Sequence, residues 1–79
     1  MADYTIAKVL DYKGLKCPMP IVKISQELPK LALGDVVEVQ TTDPGSLSDF
    51  PAWARTTGNQ VLETKQEAGL IRIFVKRAK

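Results

Sequence analysis

The sequence predicts a two-layer α/β sandwich in the order βαβαββ: a four-stranded mixed sheet with two helices on one face. Three observations carry this. Four segments are rich in β-branched or alternating apolar residues, as strands are. Two others have helical spacing bounded by proline and glycine. The first three strands are separated by the helices, whereas a short turn containing Ala68-Gly69 joins the last two. Helical connections imply right-handed crossovers with parallel pairing, and a short turn implies an antiparallel hairpin. Two helices can cover only one face of so small a sheet. The polar alternation of the second strand and the charges of the fourth leave the other face to solvent.

Each element is legible in turn. Tyr4 to Leu10 reads as the first strand, and Asp11 to Lys16 as a loop punctuated by Gly14. A helix starts at Pro18, with Ile21, Ile24, Leu28 and Leu31 on one stripe and Val22 widening it. Pro29 removes a helical hydrogen bond, so the regular helix is expected to end near Leu28, with a looser turn running to Leu33 and closed by Gly34. Val36 to Thr42 alternates, with Val37, Val39 and Thr41 toward the core and Glu38, Gln40 and Thr42 toward solvent. Asp43-Pro44-Gly45-Ser46 is a turn signal. Ser46 and Asp49 have the spacing of a capping box, while Pro51 would also suit a first turn capped by Asp49. The second helix therefore starts between Ser46 and Phe50. It places Phe50, Trp53, Ala54 and Thr57 on one face and ends at Gly58-Asn59. Gln60 to Lys65 and Leu70 to Lys76 are the last strands, the latter with Ile71, Ile73 and Val75 on one face and Arg72, Phe74 and Lys76 on the other.

Seventy-nine residues, 44% hydrophobic and 25% charged, make one domain spanning 1–79 with a modest core. No run is long enough to cross a membrane, and the first residues lack the basic and apolar regions of a signal peptide. One unpaired cysteine without an export signal fits a reducing cytoplasm. The net charge of +2 is too mild to argue for nucleic acid. The cations are uneven, however: Arg72, Lys76, Arg77 and Lys79 gather near the C-terminus, and Lys13 and Lys16 precede the cysteine. A solvated surface and a docking patch for an acidic partner are both open readings.

The residue with the clearest chemical meaning is Cys17, in Gly14-Leu15-Lys16-Cys17-Pro18-Met19-Pro20. Proline suits the first helical position, where its missing N–H would be unpaired anyway. Cys17 then sits at or beside the N-cap, facing unpaired N–H groups and the positive end of the helix dipole. Both favour the nucleophilic thiolate, and Lys16, with Lys13 or Lys23, adds to this. Against it stands the ordinary fate of a lone cysteine, which is burial as a small hydrophobe. Its place at the carboxyl end of a strand, where α/β folds gather ligands, favours reactivity. The chain has no histidine, so Cys–His and Ser–His–Asp catalysis are excluded as usually built, as is an ordinary zinc site.

Pro18 and Pro20 start the helix and also stiffen its first turn, presenting the thiol outward. Met19 is either an exposed contact beside the thiol or ordinary packing. Asp43 and Asp49 fit turn and cap chemistry, with a partner's lysine or arginine as the alternative. Phe50 and Trp53 belong to the core.

Taken together, Asp11-x-x-Gly14-Leu15-x-Cys17-Pro18-x-Pro20, Gly34-Asp35, Asp43-Pro44, Asp49-Phe50-Pro51-x-Trp53-Ala54 and Gly58-Asn59 resemble the TusA/SirA-type sulfur carrier family over nearly the whole chain. The resemblance implies the same βαβαββ fold. It also implies that Cys17 carries sulfane sulfur as a persulfide, within a supporting motif of Gly14, Leu15, Lys16, Pro18, Met19 and Pro20. Asp43, Asp49, Arg72 and Lys76 are the candidate partner contacts. The implied donor is a cysteine desulfurase or a rhodanese-type protein, and the acceptor a cysteine of a downstream protein. Family members serve tRNA thiolation, molybdenum cofactor synthesis or sulfur oxidation, and some work with membrane sulfur transporters or a selenium pathway. Neither metal nor organic cofactor is implied; the cargo sulfur is covalent, and the chain acts with partners rather than as a stand-alone enzyme. Leu28-Pro29 departs from the family pattern and leaves the first helix's length open.

Two other classes fit parts of the sequence. Small sandwiches of this order can bind RNA, but no paired exposed aromatics lie on a strand for base stacking. A thiol-based regulatory module would oxidise Cys17 or simply dock, and any disulfide would be with another molecule.

Overall fold

The computed structural model describes residues 5–16 and 19–79. Its elements are β1 (Ile6–Asp11), α1 (Met19–Glu27), β2 (Val36–Thr41), α2 (Ser46–Thr57), β3 (Gln60–Glu67) and β4 (Leu70–Lys76), with a 3₁₀ turn over Leu28–Lys30. The four strands form one mixed sheet in the order β1-β2-β4-β3. The expected starts at Tyr4 and Pro18 lie outside the described residues.

β1 and β2 pair in parallel, while β4 is antiparallel to both β2 and β3. The parallel pairing expected between the second and third strands therefore does not form, because β4 lies between them. Composition explains the order. β4 carries Leu-Ile-Arg-Ile-Phe-Val and has the apolar content of a central strand. β3, Gln-Val-Leu-Glu-Thr-Lys-Gln-Glu, is polar enough to face water along an edge.

One face of the sheet carries the core. Leu10, Val37, Val39, Ile71, Ile73 and Val75 pack with Ile24 and Leu28 from the first helical segment and Phe50 from α2. Val37, Val39, Ile24, Phe50, Ile73 and Val75 are wholly buried, as the alternation and helical spacing required. Val22 does not join the stripe and is 40% exposed. It follows Ile21 directly, so it points about 100° away from it around the helix.

The opposite face has no helix on it but is less polar than expected. Phe74 and Val36 are 6% and 3% exposed there. Phe74 stands opposite Glu38 and Glu63, and the Lys65 ammonium lies 5.6 Å from its ring centre. Long charged side chains cover these apolar groups by laying their stems across them.

Pro29 acts as anticipated. The α-helix stops at Glu27 and one 3₁₀ turn follows, with Pro29 in its first positions. At α2 the capping box does not form. Gly45 is the N-cap and no side chain caps the helix. The Ser46, Leu47 and Ser48 N–H groups donate instead to the carbonyls of Asp43, Pro44 and Gly45 at 3.0–3.1 Å. The preceding turn thus satisfies the donors a side-chain cap would serve. Ser46 is left buried, its hydroxyl 3.5 Å from that of Thr41. At the other end Gly58 adopts φ +82°, the left-handed conformation that closes a helix without a Cβ penalty.

Candidate functional site

The carboxyl ends of β1 and β2 lie side by side, so the loop that follows each strand emerges at the same edge of the sheet. The first loop leads to the Cys17 segment and the second to α2. Pairing continues one step past β1, where the Tyr12 N–H donates to the Gln40 carbonyl at 2.8 Å. The two loops are then joined by the Gly14 N–H, which donates to Thr42 Oγ1 at 3.2 Å.

Cys17 and Pro18 lie outside the described residues, and the geometry is that of the groups on either side. The Leu15 N–H donates to the Tyr12 carbonyl at 3.1 Å, and the Met19 N–H to the Lys16 carbonyl at 2.8 Å. Leu15 is partly buried against the core, whereas Gly14, Lys16 and Met19 are exposed and Pro20 is buried. Met19 is 43% exposed, so it is a surface residue rather than packing. Gly14, Leu15 and Lys16 face Thr42, Asp43 and Pro44 across a hollow of about 410 Å³.

The remaining sequence-derived candidates divide. Asp43 belongs to this hollow. Its Oδ1 accepts the Gly45 N–H at 3.0 Å and its own N–H donates to Thr41 Oγ1, so it also builds the turn into α2. Asp49 lies in the first turn of α2, where its charge complements the helix dipole. Arg72 is on the helix-free face between Glu38 and Glu67, with Nε 4.0 and 3.8 Å from their carboxylates. Lys76 shares that face but pairs with Val36 at the far end of β4. Arg77 is turned toward the same far end, donating to the carbonyls of Leu31 and Lys79. The C-terminal cations therefore do not converge beside the Cys17 segment.

The sequence assigned Tyr12 no role beyond its place in the loop from Asp11 to Lys16. The ring is only 6% exposed and joins the core, yet its buried hydroxyl has no hydrogen-bond partner among the described residues. Burial, with a smaller effect of the Glu27 charge, pushes its pKa up to about 12. An aromatic residue directly after an apolar strand was the available signal. Tyr12 lines a cleft of about 420 Å³ between β1 and α1, with Lys8, Leu10, Asp11, Lys13, Lys23 and Glu27 around it. Lys8 donates to Glu27 at 3.1 Å, and Lys30 lies 3.6 Å from the same carboxylate. The Lys8 hydrogen bond and the two cationic charges hold the Glu27 carboxyl below its ordinary range.

Among the described residues no group of three or more His, Cys, Asp or Glu side chains converges to hold a metal, and no helix is long and apolar enough to cross a membrane.

Comparison with known proteins agrees with this architecture. The crystal structure of a SirA-like protein from Desulfitobacterium hafniense superposes with a TM-score of 0.78 at 24% identity, covering 91% of this chain and 99% of that one. The sulfur carrier protein TusA of Allochromatium vinosum is 41% identical over 78 residues, 99% of this chain and 100% of that protein. YrkF of Bacillus subtilis (strain 168) is 46% identical over 69 residues, 87% of this chain but 37% of YrkF, so the chain spans little more than a third of that relative. The family described as Sulfurtransferase TusA matches residues 8–77, a stretch that includes Cys17 and both loops at its edge of the sheet. The chain belongs to the TusA sulfurtransferase family of sulfur carriers.

Proposed function

We propose that this domain accepts sulfane sulfur as a persulfide on Cys17 and hands it to an acceptor protein. The reading is carried by the position of the chain's one cysteine. In sequence it falls between Lys16 and Met19, and the described groups on either side are held at the sheet edge where β1 and β2 end by the Gly14–Thr42 and Met19–Lys16 hydrogen bonds. A helix N-terminus and the exposed cation of Lys16 favour a thiolate there.

In the loading step the Cys17 thiolate attacks the outer sulfur of a donor persulfide, R–S–SH. The donor's S–S bond breaks, the Cys17 S–S bond forms, and the electron pair leaves with RS⁻. The outer sulfur keeps its proton, one thiolate is consumed and one released, and nothing is oxidised or reduced overall. In the second step an acceptor thiolate attacks the outer sulfur of Cys17–S–SH and regenerates the Cys17 thiolate. Each step needs only a nucleophile and a leaving thiolate. A carrier without histidine can therefore perform both, with a cysteine desulfurase or a rhodanese-type protein as donor. The acceptor would belong to tRNA thiolation, molybdenum cofactor synthesis or sulfur oxidation, in the cytoplasm.

A hand-off experiment tests the cycle. The protein is charged by a cysteine desulfurase with cysteine, desalted, and mixed with excess thiol acceptor. Intact mass should rise by one sulfur atom on charging and return to the starting value on mixing. A mass that never rises, or an added sulfur that no thiol removes, contradicts the carrier reading.

A further inference from the structure

The outer edge of β1 is open. β1 pairs with β2 alone, and past its end the Tyr12 N–H donates to the Gln40 carbonyl. In a parallel pair the backbone groups of alternate residues turn toward the neighbouring strand. Those of Lys8, Leu10 and Tyr12 therefore face β2, and those of Val9 and Asp11 face away from it. No hydrogen bond reaches the Val9 or Asp11 N–H or carbonyl among the described residues. Val9 is 53% exposed, and Lys8, the kind of cation that guards an edge, is turned onto Glu27 at 3.1 Å. The other edge of the sheet, β3, carries Glu63, Lys65 and Glu67 along its length. The β1 edge is also walled: the cleft beside it runs along Lys8 to Lys13, with Lys23 and Glu27 of α1 opposite. A row of unpaired N–H and C=O groups at strand spacing, with a helix alongside, is matched by another extended backbone.

We infer that an extended, cysteine-bearing segment of the sulfur-exchanging partner pairs with the outer edge of β1 as an added strand, its backbone bonding to the Val9 and Asp11 N–H and carbonyl groups. Antiparallel pairing is the more stable per residue. It sets the N-terminal end of the segment beside the carboxyl end of β1, so the exchanging cysteine precedes the paired residues. β1 runs directly into the loop that leads to Cys17, and that loop is fastened at Gly14 to Thr42. A segment paired here ends beside a fixed approach to the thiol. Because the contacts are to backbone, donors and acceptors of different sequence can use the same edge. The inference rests on the carrier reading, since it names how the partner's cysteine is held for exchange.

Synthetic donors separate the two ideas. One peptide carries a persulfidated cysteine at its N-terminal end, followed by alternating threonine and valine. A second has two adjacent prolines at the centre of that segment, which removes an N–H from either edge of the peptide. The persulfide of 2-mercaptoethanol, which has no peptide backbone, is the reference donor. Wild-type Cys17 should load roughly tenfold faster from the first peptide than from the second, the scale of one or two backbone hydrogen bonds. Val9→Pro removes an outward N–H while the β1–β2 ladder keeps its bonds through Lys8 and Leu10, and it should remove most of the difference. A second measurement needs no variant. The threonine–valine peptide with serine in place of cysteine should slow amide exchange at Val9 and Asp11 several-fold and leave the β3 amides as they were. Equal loading from the two peptides, a difference that folded Val9→Pro retains, or unchanged exchange at Val9 and Asp11 overturns the edge pairing and leaves the carrier reading standing. Failure of Cys17 to load from any of these donors overturns both.

Discussion

The Gly14 N–H donates to Thr42 Oγ1 at 3.2 Å, so the loop after β1 is fastened to the loop after β2. This bond spans twenty-eight positions of sequence and lies three residues before the thiol. It holds the Cys17 approach against the start of α2.

Thr42→Val should therefore loosen the site more than the fold. The bond is exposed, so global stability should fall by no more than about 1 kcal/mol in urea denaturation. Amide exchange of Gly14 and its neighbours should quicken while the β4 amides remain protected. An unchanged Gly14 exchange rate would show that the loop is held by other contacts.

Tyr12 links stability to alkaline pH. Its folded pKa of about 12 lies above the ordinary tyrosine value of 10.0. The folded state therefore resists losing the proton. Its advantage is complete below pH 10 and is lost as pH rises through 12. The two-unit displacement corresponds to about 2–3 kcal/mol. Wild type should lose this much relative to Tyr12→Phe across that interval, read as the difference between the two unfolding curves. Glu27 acts in the opposite direction. Its carboxyl is held below the ordinary range, so the stability it contributes is present above its unfolded value and disappears as pH falls through the lower folded one.

Ala68 offers a gain. It has φ +46°, the one described residue other than glycine with a positive φ, and it precedes Gly69 at φ +84° in the β3–β4 turn. Left-handed backbone costs an alanine roughly 1 kcal/mol that glycine avoids. Ala68→Gly should raise the unfolding midpoint by a corresponding amount, with Asn giving a smaller gain. A lower midpoint would mean that chain entropy in the unfolded state outweighs the relief.

Phe50 is the largest wholly buried side chain among the described residues, and it connects α2 to the sheet. Phe50→Ala should cost about 3–5 kcal/mol, enough to leave a domain of this size largely unfolded by circular dichroism at room temperature. A cooperative transition near the wild-type midpoint would show that the core collapses around the vacancy.

Much of this was legible because the signals were local. Val37, Val39 and Thr41 declared the buried face of β2 by alternation, and Pro29 declared the end of α1 by removing a donor. Sheet order is not local. Placing β4 between β2 and β3 required weighing the apolar content of one strand against the polarity of the other. The capping box failed because backbone carbonyls of the Asp43–Gly45 turn reached the same N–H groups first. At the site, Gly14, Lys16 and Met19 are exposed, which the sequence leaves open for Met19, and the family match agrees with the resemblance. Arg72 lies between Glu67, five residues away across the β3–β4 hairpin, and Glu38, thirty-four residues away across the β2–β4 pairing, and only the pairing of β2 with β4 brings the second carboxylate near. Tyr12 was overlooked because its burial depends on α1 packing beside β1.

The carrier proposal requires that Cys17 alone holds the cargo. Its most direct test is peptide-level mass spectrometry of the protein after incubation with a cysteine desulfurase and cysteine, alongside Cys17→Ser. One sulfur atom should be added to the peptide containing Cys17 and none to the folded serine variant. An added sulfur that persists in Cys17→Ser, or a wild-type protein that gains none, would contradict it.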